Sequence, residues 1–187
     1  MGNKKPLLRV EDPRLFSIVI KEIRKKEEFL GKLSWIGISE SEGDITVNDE
    51  DHVRLAINRA ICESKGKEKF NELLIGIDTN SYRLTIVALG DGDLIDVRQT
   101  TIDNVEESVE DMIRSVPHDK LYIGVGTGNR LGELVYKMLS MKFGGVRKVN
   151  ENKTSSRNPY ARIKDKDVRA AYLIALRAVN DGTGISA

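Results

Sequence analysis

The segment Leu73–Asp78 constrains this chain most: Leu-Leu-Ile-Gly-Ile runs directly into a single acid. A run so short and so apolar suits a strand buried on both faces. Leu84–Leu89 follows after the turn-forming Thr79–Arg83, and Leu94–Thr100 after the tight turn Gly90-Asp91-Gly92-Asp93. Three strands joined by such short connections make an antiparallel meander. The pattern then changes to alternation. Ser108–Ser115 reads as a helix, with Val105, Val109, Met112, Ile113 and Val116 on its apolar face, and Leu121–Val125 as a strand. Leu131–Met141 is a helix, Val146–Val149 a strand, Asn150–Lys164 a polar basic loop and Lys166–Val179 an apolar helix. The order β-β-β-α-β-α-β-α predicts an α/β fold. Its mixed five-stranded sheet has three antiparallel strands followed by βαβα, with helices on both faces.

The residues before this run predict a small βαββα module. Leu7–Val10 is a short strand. Asp12 then caps a helix whose first turn accepts Pro13, and Leu15, Phe16, Val19, Ile20 and Ile23 recur at helical spacing. Leu33–Ile38 and Ile45–Val47 read as strands, and Asp49 or Asp51 caps a helix from Val53 to Ile61. The basic stretch Lys21–Lys26 is interleaved with Glu22 and followed by Glu27 and Glu28, so it reads as a solvated face. The chain thus divides into a module at 1–70, structural or interacting in role, and a domain at 71–187.

Bulk properties narrow the function classes. With 30 Lys+Arg against 29 Asp+Glu, the net charge of +1 exerts no global pull on nucleic acid, so such binding needs a local basic patch. Cys62 is the only cysteine, which excludes an intrachain disulfide and a cysteine zinc cage. His52 and His118 lie far apart in polar, turn-like contexts and read as surface residues. No apolar run approaches the roughly 20 residues of a membrane span, and Met1–Pro6 lacks a signal-peptide core. The expectation is a soluble cytoplasmic protein without membrane contact.

Three segments carry a resemblance. Gly76-Ile77-Asp78-Thr79-Asn80-Ser81-Tyr82-Arg83 resembles the first-strand motif of RuvC-type resolvases and their YqgF relatives, where a Gly-x-Asp strand end precedes a small-residue turn. Val149-Asn150-Glu151-Asn152-Lys153-Thr154-Ser155 is similar to the YqgF segment in which an acid precedes a Thr-Thr or Thr-Ser pair. Lys166-Asp167-Val168-Arg169-Ala170-Ala171 resembles the family's last helix, an acid followed three residues later by paired alanines. The likeness covers about the last three-fifths of the chain and implies an RNase H-like fold. The first seventy residues resemble a segment that some archaeal proteins place before such a domain.

The resemblance implies a nuclease using Mg²⁺ or Mn²⁺ on structured DNA or RNA. Phosphodiester hydrolysis develops charge on the attacking and leaving oxygens, and two divalent ions about 3.5–4 Å apart stabilise both. Such hard ions need carboxylate oxygens. By resemblance Asp78, Glu151 and Asp167 are the metal ligands and catalytic acids, and Lys153, Arg157, Arg162 and Lys164 contact substrate phosphates. Resolvases of this type act as dimers, so the resemblance also implies a possible homodimer.

Each acid also has a structural reading. Asp78 can accept turn hydrogen bonds from the Asn80 and Ser81 amides, Glu151 can be a solvated loop residue, and Asp167 suits the first turn of a helix. Asp165 is either the helix cap or itself the family's acid. The chain departs from the resolvase pattern in three places: Asn80 stands where those families have glycine, Leu84-Thr85 replaces their common Ile-Gly, and Gly124-Val125-Gly126-Thr127-Gly128 has no fourth-strand acid. A degenerate domain that binds nucleic acid or a protein without cutting is therefore a second reading. A third is an actin-like or sugar-kinase-like nucleotide binder, in which the first-strand loop with Asp78 and Ser81 would hold phosphate.

Overall fold

The computed structural model describes residues 5–150 and 163–180. Among the described residues, eight strands and five α-helices occur in the order β1 (Leu7–Arg9), α1 (Pro13–Leu30), β2 (Gly37–Ser39), β3 (Ile45–Thr46), α2 (Glu50–Ser64), β4 (Phe70–Asp78), β5 (Leu84–Gly90), β6 (Asp93–Thr100), α3 (Val105–Ser115), β7 (His118–Gly126), α4 (Arg130–Lys142), β8 (Val146–Val149) and α5 (Lys166–Asn180). They form two sheets. The smaller has the order β2-β1-β3 and the larger β6-β5-β4-β7-β8.

The larger sheet follows the sequence pattern closely. β4 pairs antiparallel with β5, from Leu73↔Gly90 to Asp78↔Thr85, and β5 pairs antiparallel with β6. β7 then lies parallel to β4, with Gly76 opposite Gly124, and β8 parallel to β7. The β5–β6 hairpin closes through Asp91 and Gly92, at φ of 50° and 89°, the left-handed pair that a two-residue turn of this twist requires. Side-chain alternation sorts the core. Leu73, Ile75 and Ile77 join the cluster containing Val109 and Met112 of α3 and Val135 and Leu139 of α4. Leu74, Val87, Leu89 and Val97 face Val168, Ala171 and Ala175 of α5 on the other side.

Gly76 explains why α5 can lie so close. A Cβ at that position would meet the Ala171 carbonyl oxygen at 2.0 Å and the Ala175 amide nitrogen at 2.6 Å. The helix backbone therefore occupies the space a side chain would fill. Small residues on both partners, a glycine below and alanines above, set this distance.

The N-terminal residues form the expected βαββα order, but its strands are all parallel. β1 sits at the centre with β2 on one side and β3 on the other. Asp12 caps α1 by accepting from Arg14 N at 2.7 Å, with Pro13 in the first turn, and Asp49 rather than Asp51 caps α2. The predicted strand Leu33–Ile38 is mostly loop, because β2 begins only at Gly37. Leu33 and Ile36 are buried all the same, and Leu33 N donates to Glu27 Oε1 at 2.8 Å. Their apolar character serves the core rather than a strand.

One reading of the basic stretch is corrected. Lys26 is not on a solvated face but only 3% exposed, inserted against the edge strand β6. Its Nζ donates to the Ile95 carbonyl at 3.1 Å and to Asp96 Oδ1 at 2.9 Å. The β5–β6 register shifts between Ala88 and Leu89, which leaves Ile95 without a partner there. The lysine thus supplies a donor to the carbonyl of this bulge, and α1 covers the edge. The network continues outward: Arg98 bonds Asp96 and Asp111, Asp111 also bonds Arg54 of α2, and Arg54 reaches Glu22 of α1. Asn58 Nδ2 of α2 donates to the Ser115 carbonyl of α3 at 2.9 Å. The residues before Phe70 are therefore packed and hydrogen-bonded against β6 and α3. His52 is exposed and His118 half-buried, its Nδ1 2.6 Å from the Val116 carbonyl.

Candidate functional site

Asp78 ends β4 and is 2% exposed. Its parity with Leu74 and Gly76 directs its side chain to the sheet face that α5 covers. One carboxylate oxygen, Oδ1, accepts from Asn80 Nδ2 at 2.9 Å. The local partner is thus a side-chain amide, whereas the sequence suggested the backbone amides of Asn80 and Ser81. Asn80 has no left-handed backbone, since Asp91 is the only non-glycine residue with positive φ among those described.

The strand end is pinned to the neighbouring βα turn. Thr79, 1% exposed, donates from Oγ1 to the Gly126 carbonyl at 2.9 Å. Asn129 Nδ2 donates to the Thr79 carbonyl at 3.1 Å and to Asn80 Oδ1 at 3.3 Å. The same Asn129 caps α4, its Oδ1 accepting from Gly132 N at 2.8 Å. One side chain therefore ties the β4 turn to the first turn of α4. Nothing in the sequence pattern singled out Asn129 for this. An asparagine directly before a helical run is a cap signal, but its second set of partners is fifty residues away. The cap also engages one amide of the helix N-terminus that a phosphate cradle would use.

The other sequence-derived residues separate into three groups. Asp167 is half-buried in the first turn of α5, one turn before Ala171, so it shares the helix stripe that faces the sheet. Asp165 is the cap of α5: its Oδ1 accepts from Asp167 N at 2.9 Å and from Val168 N at 3.0 Å. Of the four basic candidates, Lys164 is exposed just before that cap, while Lys153, Arg157 and Arg162 lie outside the described residues, as does Glu151.

The fold thus assigns Asp78 and Asp167 to one face of the sheet. Their carboxylate oxygens are donors of the hard type that Mg²⁺ or Mn²⁺ takes. Among the described residues no group of three or more His, Cys, Asp or Glu side chains is arranged to hold a metal ion. The donors fit such an ion in kind, and two of the three acids are within the described residues.

In comparisons with known proteins, no family model matches the chain, and neither a curated protein nor a solved structure does. No described helix is long and apolar enough to cross a membrane.

Proposed function

We propose that the chain carries an RNase H-like domain of the RuvC/YqgF type and acts as a metal-dependent nuclease on structured DNA or RNA. The observation that carries this reading is the position of Asp78. It is a nearly fully buried carboxylate ending the central strand of a β6-β5-β4-β7-β8 sheet, on the face covered by α5, the helix with Asp167 in its first turn. A bound divalent ion would supply charge stabilisation for the oxygens of the scissile phosphate. Asp78 and Asp167 would hold it together with Glu151, and the Asn80 amide would orient the Asp78 carboxylate. Lys164, with Lys153, Arg157 and Arg162, would contact phosphates of the substrate.

Calorimetric titration of Mn²⁺ into the wild type and into Asp78→Asn, followed by cleavage assays on branched DNA and on RNA, tests this. Metal binding and cutting that both disappear in the variant are expected. A wild type that takes up no Mn²⁺ at millimolar concentration overturns the catalytic role.

A second reading, a domain that binds nucleic acid or protein without cutting, is supported by the end of β7. There Gly124-Val125-Gly126 carries no carboxylate.

A further inference from the structure

Tyr82 stands apart from every other aromatic side chain described. It is 88% exposed, in the loop joining Asp78 of β4 to Leu84 of β5. A ring left in water gains almost nothing from folding, and the sequence sets it beside the candidate site. Asp78 pairs with Thr85 across the hairpin, so the Tyr82 Cα is at most about 11 Å of chain from that rung.

The loop presenting it is anchored at its β4 end and closed on itself by a local hydrogen bond. Thr79 is fixed to the Gly126 carbonyl and to Asn129, and Ser81 Oγ donates to the Arg83 carbonyl. Tyr82 is therefore an exposed ring on a held backbone, which lowers the entropy cost of using it. The next residue, Arg83, is also exposed and carries no acidic partner among the described ion pairs. An aromatic face followed by a cation matches the two parts of a nucleotide, a base to stack and a phosphate to neutralise. A base inside an intact duplex offers no free face, so the arrangement fits an unpaired one.

Resting on the nuclease reading above, we propose that Tyr82 is a stacking platform for an unpaired nucleobase, with Arg83 on the adjoining phosphate. It thereby positions branched, bulged or single-stranded DNA or RNA beside Asp78. The substrate class is nucleic acid with unpaired bases, rather than uniform duplex. Tyr82 is a positioning residue and takes no part in the chemistry at the phosphate.

Fluorescence anisotropy without added divalent metal provides the test. The probes are a fluorescein-labelled duplex and the same duplex carrying a three-nucleotide bulge, each as DNA and as RNA, with 2-aminopurine in the bulge of a parallel set. Wild type and Tyr82→Trp are expected to prefer the bulged probe by about tenfold and to change the 2-aminopurine emission. Tyr82→Ala is expected to lose both while its duplex affinity stays unchanged. If Tyr82→Ala keeps the preference and the emission change, or the wild type shows no preference, stacking is overturned. Mn²⁺-dependent cleavage, assayed separately on the same probes, then still decides the nuclease reading. If the wild type binds none of the probes, both readings fall. Stacking without cleavage supports the platform and removes only the catalytic step. The DNA and RNA arms identify which polymer it serves.

Discussion

Lys26 of α1 and Asp96 of β6 form a 2.9 Å ion pair with both side chains almost wholly withdrawn from water. Seventy residues separate them in sequence, yet together they join helix α1 to the edge of the larger sheet. Removing two charges from solvent is costly, and the attraction between them offsets this only when their remaining valences are met. Here they are. Lys26 also bonds the Ile95 carbonyl, and Asp96 accepts from Arg98 and from Val97 N.

Breaking this pair from one side should therefore be far worse than never having it. Lys26→Met is expected to destabilise the protein by about 3 kcal/mol, because Asp96 stays buried with Arg98 alone. Adding Asp96→Leu should recover part of that loss, since no charge is then buried at that position. Urea denaturation of the single and double variants measures the difference. Equal stability of wild type and Lys26→Met would mean that α1 is not held to β6 by this contact.

The same pair sets a pH dependence. Burial pushes the Asp96 carboxyl up, but the charges of Lys26 and Arg98 and the hydrogen bonds from Lys26 and Val97 outweigh it. The carboxyl therefore titrates below its ordinary 3.8. Burial lowers Lys26 as well, and Asp96 offsets only part of that. The two directions differ in what they say about the pair. Asp96 governs on the acid side, because it faces two cations whereas Lys26 shares its carboxylate with Arg98. A depressed carboxyl contributes stability that is complete above the unfolded value near 3.8 and is lost as pH falls through the folded value. Denaturation midpoints taken from pH 6 down to pH 2.5 should fall more steeply in the wild type than in Asp96→Asn.

Gly76 is the position where the sheet can least accept a side chain. Its substituent would collide with backbone atoms of α5, not with a flexible side-chain end, so relief requires moving the helix. Gly76→Ala is expected to cost about 2–3 kcal/mol and to disturb the adjoining Asp78 site, while Gly144→Ala, with nothing near its Cβ, should cost far less. Thermal melts of the two variants check this contrast.

The larger sheet was legible in the sequence because each of its strands is a short apolar run bounded by turn residues or a helix. Val146–Val149 was bounded to the residue, and β4 differs only by starting at Phe70. Where the sequence misled, a side chain served a distant partner. Lys26 has the local composition of a surface lysine, and only the bulge at Ile95 and the acid at Asp96 give it a reason to be buried. Leu33 and Ile36 have the apolarity of a strand but plug the core from a loop. Of the candidate site, the end of β4 and the start of α5 could be read from residue order alone. The tie through Asn129 could not, because its partners belong to a turn fifty residues earlier.

The paired acids at the head of α5 can be told apart by their partners. Asp165 accepts two backbone amides that would otherwise lack a bond within the helix, so it is a cap. Asp167 offers its amide to that cap and lies on the sheet-facing stripe, which leaves its carboxylate for a different task. Asp165→Ala should therefore lower stability by about 1 kcal/mol and leave Mn²⁺ affinity close to that of the wild type once folding is complete. Asp167→Asn should do the reverse: it keeps the shape and first-turn position, so urea midpoints change little, while Mn²⁺ affinity measured by calorimetry falls at least tenfold. Loss of metal binding in Asp165→Ala with none in Asp167→Asn would transfer the ligand role to the cap and withdraw Asp167 from the proposed site.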